Sequence, residues 1–295
     1  MASTRQILSR RRAAQNINKV TGTMETISAV RYRQLYGSWY EGQEFYDSLA
    51  RLAYLIVTAE QTIEHPLLFD NQSRTHALVV IGSDRGLCGA YNSNIFKLLD
   101  VHRKMAKRFN RELKIYAKGN RVINHLRSQQ VPIEHIYDEF EDVPSVDQTE
   151  EIANHFIEQY MRGEIGRLGM VYTRFFSAAS QQAQTLSVLP VAELIDDLTT
   201  RATVIWPWEV EFEDFLLSPD PEQIFDGLAK MMIRTVISGC FHEAVLSEHL
   251  SRVIAMRSAS DNAQEMIESL THEYNRERQS QITNELLDIL GGALQ

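Results

Sequence analysis

The sequence is poor in the residue types on which most small-site chemistry rests. Only two of its 295 residues are cysteine, Cys88 and Cys240, so no disulfide framework can be built and no C-x-x-C metal pair exists, a usage that fits a reducing compartment. The nine histidines are scattered. His242 and Glu243 lack the second histidine that H-E-x-x-H requires, and His249 comes too late, so that zinc motif is excluded. No apolar run reaches the roughly 18 residues of a membrane-spanning helix. Positive charge is not in excess either: 30 Lys and Arg stand against 39 Asp and Glu, a formal net charge of -9, which argues against nucleic acid as a partner. Proline is absent from Thr4 to Glu60, and the isolated Gly22, Gly37 and Gly42 each cost a helix only about 1 kcal/mol.

What is present points to long helices around an α/β insert. Hydrophobic residues make up 44% of the chain, enough for a sizeable core. The span from Thr4 to Glu60 predicts one long helix, ended at His65-Pro66 because the residue before proline leaves helical angles. Ile7, Ala14, Ile17, Val20 (or Thr21), Met24 and Ile27 form its expected packing stripe. The opening "MASTRQILSRRRAAQNINKV" also has the acid-free composition of an organellar transit peptide, but the stripe continues through it without a cleavage-like break. The basic face of Arg10, Arg11, Arg12, Lys19, Arg31 and Arg33 is either solvated or turned to an anionic surface.

Between about Arg74 and Val191, short β-branched runs ("ALVVIG", "LKIYAKG", "GMVYTRFF", "LSVLPV") alternate with helical stretches at Asn92 to Phe109 and Asp147 to Met161. That alternation predicts a largely parallel sheet with covering helices. "PSVDQTEE" reads as a helix start with acids in its first turn. From Asp220-Pro221-Glu222 onward the chain is helical again, with a near-3.5-residue repeat at Met256, Ser260, Ala263, Ile267, Leu270, Tyr274, Gln281 (or Ile282), Leu286 and Ile289. The two terminal helices are expected to pair antiparallel, through a seam weakened by Ser258, Ala259, Ser260, Asp261, Asn262 and Ala263. The chain thus divides into residues 1–62, an N-terminal coiled-coil helix; residues 74–205, an α/β domain; and residues 206–295, a linker and the C-terminal helix.

No catalytic constellation, cofactor motif or metal ligand set emerges. Gly82, Gly86 and Gly89 do not fit G-x-G-x-x-G, and the Lys-Ser or Lys-Thr of a P-loop is missing. Asp84 and Arg85 are expected to close the turn, Cys88 to be inert and Cys240 to pack within a helix. Glu139, Glu141 and Asp142 read as a solvated acidic loop.

Four segments taken together, "KVTGTMETISAVR", "SDRGLCGAYNSNIFKLL", "SEHLSRVIAMRSASDNAQEMI" and "YNRERQSQITNELLDILGGA", resemble the gamma subunits of F-type rotary ATP synthases, bacterial type, over nearly the whole chain. The resemblance implies a fold of mixed α+β and α/β class: a long antiparallel coiled coil of N- and C-terminal helices with an inserted Rossmann-like α/β domain. It implies a central rotor stalk, itself non-catalytic and without cofactor. This stalk stands in a ring of alpha and beta subunits, with the α/β domain as a foot on the c-ring and epsilon subunit. Family members start at a similar offset, which implies no removable leader. By the same resemblance, Met24, Arg252, Arg278, Gln279 and Thr283 would meet beta subunits, though for Met24 packing within the helices stays open. Asp214, Phe215 and Ser218 would meet the c-ring and epsilon, while Asp84, Arg85, Gly86, Cys88 and Gly89 would form a scaffold loop of the foot. The implied location is peripheral, on the cytoplasmic face of the bacterial inner membrane. Gly22 and Ser218 depart from common family residues, as does "RYRQLY" from a more basic segment.

Overall fold

The computed structural model describes residues 4–58, 64–201 and 220–292. They fall into two compact units. One draws on residues up to Arg31, on Leu87–Gly89 and on residues from Arg252; the other comprises Tyr32–Gly86 and Ala90–Ser251. Each of the two long helices, α1 (Thr4–Thr58) and α6 (Pro221–Gly292), contributes to both.

In the helical unit α1 and α6 pair antiparallel. Asn18 bonds both Ser260 and Gln264, and the guanidinium of Arg11 lies 5.5 Å from the ring centre of Tyr274, so numbers fall on one helix as they rise on the other. The seam keeps a strict seven-residue repeat. Ile7, Ala14, Thr21 and Ser28 are buried on α1, as are Met256, Ala263 and Leu270 on α6, the period that keeps two helices in register along a left-handed supercoil. Three of the four α1 positions carry small side chains, which let the backbones approach closely. Thr21 satisfies its buried hydroxyl on the carbonyls of Ile17 and Asn18, at 3.0 and 3.1 Å.

This corrects the expected α1 stripe. Ile7, Ala14 and Thr21 are buried, but Ile17 (54% exposed), Val20 (55%), Met24 (37%) and Ile27 (59%) face outward. The helix has two candidate faces, one narrow and small, one broad and apolar. Hydrophobicity selects the second as the seam, whereas the intimate heptad contact uses the first. On α6 the expected repeat holds from Met256 to Tyr274, while Ile282 and Leu286 are exposed.

The second unit is built on a five-stranded sheet in the order β3-β2-β1-β4-β5. Strands β1 (Thr75–Ile81), β2 (Glu112–Lys118), β3 (His135–Ile136) and β4 (Arg167–Ser177) are mutually parallel neighbours, and β5 (Ser180–Leu189) returns antiparallel to β4. Alternate residues of β1 face opposite sides. Ala77, Val79 and Ile81 join a core with Phe156 of α4 (Val146–Met161), Leu194 of α5 (Val191–Arg201) and Phe225, Ile233 and Phe241 of α6. Leu78 and Val80 point the other way, to the side of α2 (Tyr91–Arg108) and α3 (Asn120–Ser128).

Local chemistry sets the element ends. Ser145 caps α4 in a reciprocal capping box with Gln148, as "PSVDQTEE" predicts. At the β2–α3 crossing Gly119 has φ +95°, and a Cβ there would lie 2.2 Å from the carbonyl oxygen of Gly82, so only glycine fits. Within the same unit Tyr46 of α1 donates its hydroxyl to the Thr235 carbonyl of α6 at 2.6 Å. Phe175 of β4 packs with Leu246, Leu250, Tyr32 and Trp39, meeting the Trp39 ring edge-on at 4.9 Å.

Candidate partner interface

On the outer side of α1 in the helical unit, Ile17, Val20, Met24, Ile27 and Val30 form an exposed apolar ridge, Val30 being 49% exposed. Their steps of three and four residues put them on one helical face. The face exists because the seam in this stretch takes Thr21 and Ser28, leaving the larger aliphatic residues outside. On α6 of the same unit Ile254, Met266, Ile282, Leu286 and Leu287 are 47 to 61% exposed. Burying a large apolar side chain fully is worth about 1.5–3 kcal/mol, so covering these half-exposed ones gains roughly 1 kcal/mol apiece. Exposed Arg10, Arg12, Lys19 and Arg31 occur along the same stretch of α1, supplying long cations that can reach acidic groups.

The residues singled out from the sequence are distributed as follows. Met24 lies in the middle of the ridge, 37% exposed. Arg278, Gln279 and Thr283 are exposed on α6, where the Thr283 hydroxyl donates to the Gln279 carbonyl at 2.9 Å. Arg252 differs: at 8% exposure it presents little surface. Asp214, Phe215 and Ser218 lie outside the described residues. The neighbours of Met24 on the ridge were visible in the sequence, but reading them as seam concealed their outward orientation.

The loop after β1 is closed by its own polar groups. Asn92 accepts from the Ser83 amide at 3.1 Å and donates to its hydroxyl at 2.7 Å, and that hydroxyl donates to the Arg85 carbonyl at 2.7 Å. Asp84 accepts from both the amide and the side chain of Asn120, at 3.0 and 3.1 Å, tying the loop to the start of α3. In the helical unit Cys88 is 2% exposed, and Gly89, at φ +58°, approaches Ala255 closely enough that a Cβ would touch it at 3.9 Å. The amides that a phosphate cradle would need at Ser83 and Asn120 are turned to side-chain oxygens instead. Cys240 is likewise 2% exposed, in the core of the second unit.

An exposed apolar ridge on one face of a helix pair is the kind of surface that marks a site of interaction with another protein. Residues 3–294 match the family model described as ATP synthase. The chain is 33% identical over 293 residues to the ATP synthase gamma chain of Rhodopirellula baltica, covering 99% of this chain and 98% of that one. It is 31% identical to the gamma chain of Trichormus variabilis, with 99% of each covered. Its fold is similar to chains in the mitochondrial ATP synthases of Euglena gracilis (TM-score 0.67, 20% identity, 99% of this chain and 93% of that one) and Tetrahymena thermophila (TM-score 0.55, 18% identity, 82% and 99%), the latter a central stalk and c-ring assembly. The chain belongs to the gamma-chain family of F-type ATP synthases.

Proposed function

We propose that the chain is the rotating central stalk that couples ion-driven turning of a c-ring to the nucleotide states of an alpha/beta catalytic ring, with no catalysis of its own. The observation that carries this reading is the inside-out use of α1. Small residues make the helix pair close and stiff, while Ile17, Val20, Met24 and Ile27 are offered outward. An axle must meet its sleeve in several orientations. Such switching needs contact energies that differ by a few kcal/mol between states, and a convex ridge supplies these without an interlocking pocket.

On this reading Met24, Arg252, Arg278, Gln279 and Thr283 meet beta subunits. The second unit is the foot, with Asp214, Phe215 and Ser218 toward the c-ring and the epsilon subunit and Asp84 to Gly89 as its scaffold loop. The protein sits peripherally at the cytoplasmic face of the bacterial inner membrane. The fold's likeness to chains of an F1/c-ring assembly and of a rotor in Euglena gracilis supports the catalytic ring and the c-ring as partners.

The test is Mg-ATP hydrolysis by purified alpha and beta subunits of the same source, with and without this chain. Stimulated turnover with the chain, none by the chain alone, and weaker stimulation by a form truncated after Asn275 are expected. Failure to assemble or stimulate overturns the proposal.

A further inference from the structure

In the α/β unit, α2 and the sheet enclose a cleft of about 290 Å³, roughly ten water volumes at ~30 Å³ each. The stalk reading gives it no task. Its base is formed by Leu78 of β1 and by Leu168 and Gly169 of β4, and α2 with its following turn contributes Met105 and Phe109. Those last two side chains are 52% and 56% exposed, so a substantial apolar surface is left to water at the mouth. Gly169 leaves room in the floor for the Leu78 side chain. A Cβ there would press on Leu78 Cδ1 at 3.1 Å, and glycine inside a strand commonly marks a close approach.

Charge around the cleft is unevenly compensated. Arg167 forms a two-pronged ion pair with Glu193, at 2.6 and 2.9 Å, which satisfies both. Arg111 has no carboxylate partner among the described residues, and its guanidinium and that of Arg108 are stationed 5.7 and 5.6 Å from the ring centre of Phe109. His102 bonds the Thr185 hydroxyl at 2.7 Å. Half-buried His76 lines the same cleft. Burial first, and then the charges of Arg111, Arg167 and His102 against the single opposing Asp70, hold its imidazole below the ordinary range. A guanidinium with open donors beside an unburied aromatic ring matches a flat carboxylate on an apolar body, because the planar fork takes both carboxylate oxygens.

We propose that this cleft binds a small aromatic carboxylate, its carboxylate on Arg111 and its apolar body against Phe109 and Met105. The site is independent of the stalk reading, since it lies wholly within the α/β unit.

The experiment uses the full chain with sodium benzoate as the probe, followed by calorimetry and by the imidazole resonances of His76. Benzamide tests the charge, and inorganic phosphate tests the apolar body. Saturable benzoate binding is expected, at least tenfold weaker in Arg111→Gln and weakened several-fold in Phe109→Ala, with circular dichroism unchanged because both side chains are exposed. His76 should titrate at higher pH when benzoate is bound. Absence of saturable binding, equal binding of benzamide, or undiminished binding by Arg111→Gln overturns the site. Phosphate binding as tightly as benzoate overturns the assigned ligand class.

Discussion

Asn18 accepts the hydroxyl proton of Ser260 across the α1–α6 seam, 2.5 Å from oxygen to oxygen. The same side chain donates to Gln264 at 3.1 Å, so one amide bridges two turns of the facing helix. A polar bridge at a helix seam fixes register at some cost in stability. Asn18→Ala should therefore lower stability by only about 1 kcal/mol, the usual net worth of such bonds. A double-mutant cycle with Ser260→Ala, read by chemical denaturation, should return a coupling of ~0.5–1.5 kcal/mol. Zero coupling would mean that the bridge is idle.

The apolar ridge makes the opposite prediction, little effect on the isolated chain and a large one on assembly. Val20→Glu combined with Ile27→Glu changes two residues that are 55% and 59% exposed, so stability should move by no more than ~0.5 kcal/mol per site. Stimulation of ATP hydrolysis in a reconstituted alpha/beta mixture should fall several-fold, because two carboxylates would be buried without partners. Undiminished stimulation would remove the ridge from the interface.

How far the sequence revealed this architecture depends on the kind of signal each element carries. Proline-free length identified α1, and β-branched runs located β1, β2, β4 and β5. Ser145 announced α4 because a capping box is a local contract between two side chains three residues apart. Nine-residue α3, two-residue β3 and α5 were missed, being too short for periodicity to register. The β4–β5 turn was obscure as well: Ser177, Ala178, Ala179 and Ser180 carry none of the usual glycine or asparagine marks. The ridge was misread for a deeper reason. Hydrophobicity says that a face will be covered, and it does not say by which chain. Met24 entered the site list only through the family resemblance, and the cleft beside Arg111 was not foreseen, because its residues come together from four strands and two helices.

Gly239 is held by a contact rather than by backbone geometry. A Cβ at this position would lie 2.1 Å from Tyr46 Oη and 2.8 Å from its Cζ. Burial pushes the Tyr46 phenol well above its ordinary pKa, so it remains a neutral donor to Thr235. Gly239→Ala must displace this ring and should cost about 1–3 kcal/mol, the usual penalty of overpacking. Tyr46→Phe removes the nearest clashing atom. In the Gly239→Ala background it should thus recover part of the loss, whereas in the parent chain it should destabilise. Additive effects in the double variant would show that the two residues do not press on one another.

Acid should weaken the α/β unit well before carboxylates titrate. His76, His102, His155 and His242 all have pKa values lowered in the folded chain, with burial the leading cause at each. At His242 the geometry agrees, since Nε2 is buried without a hydrogen-bond partner. A histidine whose folded pKa lies below its unfolded value, about 6.5, carries no penalty at high pH. As pH falls through the unfolded value, the unfolded chain takes up protons that the folded one refuses, so stability declines until the folded pKa is reached. The denaturation midpoint should accordingly be flat above about pH 7.5 and fall between roughly pH 7 and 5, with each fully refused proton contributing a slope of at most ~1.4 kcal/mol per pH unit. His102→Gln preserves a hydrogen-bonding group opposite Thr185 and removes one titrating site, so its slope should be shallower than that of the parent. A midpoint that is constant across this window, or a His102→Gln slope equal to the parent's, would show that these imidazoles enter the folded chain without the cost that their burial implies.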